Sequence, residues 1–153
     1  MDEQRELRVR RSTSSDLDAV ARVWHASALT MDAATTDVPT REALRHRIDA
    51  ELRSGWDLYV ALRGEHVVGM LAMKPSVAIL DQIFVVPGQQ GKGVGRALLN
   101  LAKQLIAAGF TLRMEASNDQ ARRFYEAEGM KKLREGFHPR TGIPVHFYGW
   151  NVR

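Results

Sequence analysis

The sequence predicts a mixed α/β (α+β) chain in the order β-α-α-β-β-β-α-β-α-β-β. Three observations carry that prediction. Two helix-period segments stand near the start, short apolar runs separated by turn residues fill the middle, and a strand-helix-strand crossover follows a glycine-rich turn. Short connections allow antiparallel hairpins early, and the later crossover is long enough for a parallel pair.

Leu7 and Val9 alternate with arginines as a half-buried strand does. Ser12 to Asp16 offers several N-cap candidates, and Leu17, Val20, Ala21, Trp24 and Ala28 follow at helical spacing. Residues 29–38 lack a period and read as a loop. Thr40 opens a second helix, in which Leu44, Ile48 and Leu52 lie four apart, and Gly55 ends it. Asp57–Leu62 and Val67–Met73 read as a hairpin around Arg63-Gly64-Glu65, and Ala78–Val86 as a further strand. The next helix carries Val94, Ala97, Leu98, Leu101, Ala102, Leu105 and Ile106 on one side and Arg96, Asn100, Lys103 and Gln104 on the other, closing at Gly109. Phe110–Ala116 reads as a strand, Asn118–Glu128 as a helix, and Lys131–Glu135 and Val145–Val152 as the last two strands.

At 153 residues the chain is expected to form one domain, 1–153, with a core that needs neither disulfides nor metal. It contains no cysteine, which excludes a disulfide scaffold, a thiol nucleophile and thiolate metal sites. No stretch approaches the roughly 20 apolar residues of a membrane span. Met1 to Glu6 is charged rather than apolar and does not read as a secretory signal, so the expected location is cytoplasmic, with no membrane partner. The net charge of +4 is spread along the chain without the dense basic stripe of a nucleic-acid binder, and no nucleic-acid partner is expected. The same modest excess suits a protein that holds an anionic ligand.

The most informative segment is Pro87-Gly88-Gln89-Gln90-Gly91-Lys92-Gly93-Val94-Gly95, between an apolar strand and a helix. A glycine-rich turn opening a helix presents free backbone N–H groups and the positive end of the helix dipole, a seat for phosphate or pyrophosphate. The dinucleotide pattern G-x-G-x-x-G fails here, because its third glycine would fall on Arg96 or Leu98. The triphosphate-loop pattern fails as well: Gly88 and Gly93 have the right gap, but Val94-Gly95 follows in place of Lys-Ser/Thr.

What stands instead is Gln90-x-x-Gly93-x-Gly95, preceded by Ile83-Phe84-Val85-Val86-Pro87 and followed by Arg96-Ala97-Leu98-Leu99. This resembles the acyl-CoA-binding motif of the GNAT superfamily of acetyltransferases. The segment from Asn118 to Met130, an Asn, then Ala121, then Phe124-Tyr125, then Gly129 with an apolar neighbour, resembles the second motif of that superfamily. The resemblance runs from about Leu7 to the C-terminus and is sharpest from Asp81 to Met130. It implies a largely antiparallel sheet of about seven strands with helices on both faces. It also implies fourth and fifth strands that part into a V for a pantetheine arm. The implied chemistry is acetyl transfer from acetyl-CoA, without metal, to the primary amine of a small molecule or peptide. Because no cysteine is present to carry an acetyl group, direct attack in a ternary complex is expected. Dimers are frequent among relatives, so a homodimer is one expected assembly.

The resemblance assigns the cofactor to backbone N–H groups of Gln90, Gly91, Lys92, Gly93, Val94, Gly95 and Arg96, with the Lys92 and Arg96 side chains adding charge. Read without it, the loop is a glycine-rich turn that joins strand to helix. Phe84, Val85 and Val86 would hydrogen-bond the pantetheine as an added strand does, with the Val86 amide as donor to the developing oxyanion. Asn118 reads both as a helix N-cap and as a pantetheine ligand, and Ala121 belongs to the same motif. Tyr125 is the candidate general acid, since a phenol with ordinary pKa near 10 stays protonated and can supply the departing thiolate. On its own, the pair Phe124-Tyr125 reads as core.

Asp81 is a carboxylate in an otherwise apolar strand, three residues before Phe84, where the histone-acetyltransferase branch has its catalytic glutamate. It is the candidate base for an amine of pKa near 10.4, acting directly or through water. A residue that recognises the amine or pairs with a cation is the other reading. His25, His46, His66, His138 and His146 form no compact metal spacing and are assigned no role. Trp24–Arg47 and Phe137–Tyr148 are the segments expected to shape the acceptor site. They offer Asp32, Asp37, Glu42 and Asp49 to attract a cation, beside many arginines. A non-catalytic CoA-binding sensor or interaction module is the alternative function.

Overall fold

The computed structural model describes residues 6–30 and 38–152. Seven strands, β1 (Leu7–Arg11), β2 (Asp57–Arg63), β3 (His66–Lys74), β4 (Ile79–Val85), β5 (Phe110–Glu115), β6 (Lys131–Phe137) and β7 (Pro144–Trp150), form one sheet in the order β1-β2-β3-β4-β5-β7-β6. Every neighbouring pair is antiparallel except β4 and β5, which run parallel across the crossover. The helices are α1 (Leu17–Thr30), α2 (Arg41–Arg53), α3 (Val94–Leu105) and α4 (Asp119–Ala127).

The period-2 pattern of β2 explains why helices cover both faces. Leu58, Val60 and Leu62 join a core with Val20, Trp24, Leu44 and Ile48 of α1 and α2. Tyr59 and Ala61 point the other way, into a core with Leu98, Leu99 and Ala102 of α3 and Tyr125 of α4. Among the described residues no helix is long and apolar enough to cross a membrane.

Most element boundaries follow the sequence reading, with three informative departures. Helix α1 continues through Thr30, since no proline or glycine interrupts it after Trp24; residues 31–37 of the expected loop, with Asp32 and Asp37, lie outside the described residues. The buried arc of α3 includes Leu99, whereas Leu105 is exposed, so the helix is turned slightly from the face its spacing suggests. Strand β6 extends to Phe137 because its hairpin partner β7 pairs with it as far as Pro144.

Two register shifts shape the sheet. Ala61 pairs with Gly69 and Leu62 with Val67, leaving Val68 as an extra residue in β3. Gly69 then faces α3, and a Cβ there would stand 3.0 Å from both Leu98 Cδ1 and Val94 Cγ1, so glycine permits the helix to dock. In β4, Leu80 pairs with Met73 and Gln82 with Ala72, leaving Asp81 as the extra residue. A bulge bends its strand. Beyond it β4 leaves β5, to which it is bridged at the single pair Ile79 and Thr111. The V expected between the fourth and fifth strands is therefore present.

An ion pair between exposed Arg10 and buried Asp16 anchors the entry to α1. Asp16 accepts hydrogen bonds from Arg10 at 2.7 and 3.1 Å and from the Thr13 backbone N–H at 2.7 Å. The Arg10 hydrogen bond is the main cause that lowers the Asp16 pKa from 3.8 to about 2. A depressed carboxylate stabilises the fold above its unfolded pKa and loses that contribution as pH falls through the folded value. Asp16→Asn is thus expected to cost about 2 kcal/mol at pH 7 and to flatten the decline in stability between about pH 4 and pH 2. Urea unfolding of both proteins at pH 7 and pH 3 checks this, and an unchanged acid slope in the variant contradicts it.

Candidate active site

The cleft opened by the parting of β4 and β5 is lined on one side by Ile83, Phe84 and Val85 and on the other by residues of β5 and α4, including Asn118, Ala121 and Tyr125. Gln90, Gly91, Gly93, Gly95 and Arg96 line its end at the start of α3. The sequence-predicted site residues other than Val86, Lys92 and Val94 all line this cleft.

The glycine turn has the geometry an anion seat needs. Gly91 and Gly93 adopt φ of +77° and +86°, which favour glycine, and a Cβ on either would meet nothing within 4 Å. The first hydrogen bond of the α3 ladder is Ala97 N–H to Gly93 O at 3.0 Å. The amides of Val94, Gly95 and Arg96 therefore precede the ladder at the positive end of a 12-residue helix. Gly95 also has a packing reason: a Cβ there would lie 3.3 Å from Phe124 Cζ. Val94 is buried core, and Lys92 is exposed with its carbonyl accepting from Arg63 Nη2 at 2.9 Å. Arg96 does reach the cleft, yet its Nε already pairs with Glu128 Oε2 at 3.1 Å. Its charge is shared with that nearly buried carboxylate and is not wholly available to a ligand.

The edge of β4 requires a correction. The Val86 amide donates to Val68 O at 2.9 Å and is thus turned toward β3, away from the cleft. Hydrogen-bonding direction alternates along an antiparallel strand. Phe84, opposite Met70, accordingly also turns its backbone to β3, while Val85 and Ile83 turn theirs into the gap. The Val85 carbonyl accepts from Ser27 Oγ at 3.1 Å and from Gln90 Nε2 at 3.4 Å. Its N–H and that of Ile83 are the donors that face the cleft, so this pair takes the place expected for Val86. The Phe84 side chain stacks on Trp24 with ring centroids 5.9 Å apart, a packing position.

Tyr125 contributes its ring to the core, is only 8% exposed, and is one of the residues that line the cleft. Burial raises its pKa above the ordinary phenol value, which keeps the hydroxyl protonated at neutral pH. Asn118 caps α4, its Oδ1 accepting the Ala121 N–H at 3.0 Å. The cap leaves the side-chain NH2 as donor capacity toward the cleft.

Asp81 lines the cleft from its bulge on the α1/α2 side of the sheet. Its Oδ2 accepts from Trp56 Nε1 at 2.8 Å, and Lys74 Nζ stands 3.9 Å away. Trp56 is a partner the sequence reading did not identify, and no periodic signal marks it. Arg113 was missed as well, and it lines the cleft together with His138, which was assigned no role although it lies in the expected acceptor segment Phe137–Tyr148. Arg113 was discoverable: Phe110, Leu112 and Met114 alternate into the α3/α4 core, which turns Thr111, Arg113 and Glu115 to the face that carries Asp81. Of the acids expected to attract a cation, Asp49 pairs with Arg45 at 2.9 Å. Among the described residues no group of three His, Asp or Glu is placed to hold a metal ion.

Residues 21–148 match the family model for the acetyltransferase (GNAT) domain. Similar solved structures include an acetyltransferase from Thermus thermophilus, 22% identical with a TM-score of 0.77, covering 95% of this chain and 97% of that one. A ribosomal-protein-alanine N-acetyltransferase from Brucella melitensis is 19% identical with a TM-score of 0.71, covering 95% and 99%. A GNAT superfamily phosphinothricin acetyltransferase from Sinorhizobium meliloti, solved in complex with AcCoA, is 18% identical with a TM-score of 0.71, covering 94% and 87%. The last two names differ in acceptor while the likeness to this chain is equal, so shape alone does not identify an acceptor. A search of curated proteins finds no match.

Proposed function

The chain belongs to the GNAT acetyltransferase family, and from that premise we propose that it moves an acetyl group from acetyl-CoA to a primary amine by direct attack in a ternary complex. The observation that carries this reading is one continuous cleft that joins the glycine turn, the outward edge of β4, Tyr125 and Asp81.

Each residue has a physical task. The amides ahead of the α3 ladder bind the diphosphate, helped by the helix dipole. An N–H of the outward β4 edge, that of Ile83 or of Val85, donates to the acetyl carbonyl oxygen, where negative charge develops. The amine nitrogen bonds to the carbonyl carbon as the bond from that carbon to sulfur breaks. Tyr125 gives its proton to the leaving sulfur, and the proton lost by the amine passes to Asp81 and solvent, which restore the phenol. Trp56 and Lys74 both address Asp81 Oδ2, which holds the carboxylate in place and leaves Oδ1 to take that proton, directly or through water.

Incubation with acetyl-CoA and a panel of amines, followed by release of free thiol, tests the reading. Acceptor-dependent thiol release is expected, and failure to bind acetyl-CoA in calorimetry would sink it. In the same assay Asp81→Asn is expected to lower kcat/KM about 100-fold at pH 7, with acetyl-CoA affinity retained. Undiminished turnover would confine Asp81 to holding Trp56.

A further inference from the structure

The loop between β6 and β7 fixes one imidazole in an informative way. The His138 backbone N–H donates to Ile143 O at 2.8 Å, and its carbonyl accepts from the Gly142 N–H at 2.9 Å, which closes the loop on itself. The ring is tied to the same loop: Nδ1 accepts the backbone N–H of Arg140 at 3.1 Å and that of Thr141 at 3.4 Å. A ring nitrogen that accepts carries no proton, so the neutral ring must bear its proton on Nε2. Burial disfavours the charged ring, as do Arg113, Arg140 and Arg47, against an opposite effect from Glu115.

Nε2 then stands 3.3 Å from Arg113 Nη2, and in this tautomer both groups are donors. With no acceptor between them, such a pair is satisfied by a group that accepts from both. An anionic oxygen is the acceptor that suits a guanidinium beside an N–H. The position of the pair matters as much as its chemistry. From the bridged pair Ile79 and Thr111, Asp81 and Arg113 each lie two residues onward, and both belong to the α1/α2 side of the sheet. Arg47 of α2 lies with its guanidinium 5.1 Å from the Trp24 ring centroid, on the aromatic wall that leads to Trp56 and Asp81. The cleft thus carries a carboxylate from β4 and, from β5 and the β6–β7 loop, the Arg113–His138 pair.

We propose that the acceptor is an amino acid or a related amine bearing a carboxylate, whose acid group is held between the Arg113 guanidinium and the His138 Nε2–H while its amine faces Asp81. This rests on the acetyl-transfer reading above. Arg113 and His138 are binding residues in this scheme and take no part in bond making.

The test uses two acceptor pools, free α-amino acids and the corresponding carboxamides, with thiol release from acetyl-CoA as readout. The free acids should be preferred at least about tenfold in kcat/KM. Arg113→Gln should raise KM for the acids by about ten- to a hundredfold, collapse the ratio between the pools toward one, and keep acetyl-CoA binding. Arg113→Lys should recover part of the preference. Equal use of the two pools, preference for the carboxamides, or turnover of neither pool by protein that binds acetyl-CoA overturns the assignment. Loss of acetyl-CoA binding in the parent protein instead removes the reading beneath it, so the two failures are separable.

Discussion

Tyr125→Phe is expected to lower kcat by about two to four orders of magnitude while acetyl-CoA binding and stability stay close to those of the parent. The ring of Tyr125 packs with Phe124, centroids 5.3 Å apart, and with the core around Leu98 and Leu112. Phenylalanine keeps all of that. What it removes is one O–H, held protonated by burial, from a residue that lines the cleft. Without it the sulfur must leave as a bare thiolate or take a proton from water inside a cleft. The effect should therefore fall on turnover and not on binding. Parallel measurement of kcat and of acetyl-CoA affinity decides the matter: equal losses in both would assign the phenol to cofactor binding, and no loss in either would return Tyr125 to the core.

Gly93→Glu is expected to weaken acetyl-CoA binding by at least about 100-fold. Two causes add. At φ of +86° any side chain carries backbone strain, on the order of 1–2 kcal/mol, and a carboxylate there opens onto the cleft at the positive end of α3, where the diphosphate belongs. Gly93→Ala separates them, since it carries the strain without the charge and should lose about tenfold or less. Calorimetry with acetyl-CoA, next to a thermal melt of each variant, distinguishes a blocked seat from a misfolded turn. Equal losses in the two variants would mean that strain, not anion binding, explains the glycine.

The features legible from residue order share a physical cause: each is set by neighbours within a few positions along the chain. The glycines of the turn at 91 and 93 mark left-handed backbone. Asn118 caps its own helix three residues ahead, and Thr40 does the same for α2 through Ala43. Alternation in β2 and helical spacing in α1 and α2 assign both faces of the sheet before any contact is known.

Other features depend on pairing between distant segments, and residue order carries no local mark of them. Whether the Val86 or the Val85 amide faces a ligand depends on which backbone groups β3 claims, and β3 claims Val86 through Val68. That Asp81 is an extra residue in its strand depends on a slip against Met73, and that its carboxylate is held depends on Trp56, 25 residues away. The charge of Arg96 is shared because Glu128 at the end of α4 comes within 3.1 Å of it. Arg113 and His138 meet because β5 and the β6–β7 loop share one edge of the cleft. Backbone conformation is a short-range property of each residue, whereas the direction of a donor and the company of a charge are properties of the packed sheet.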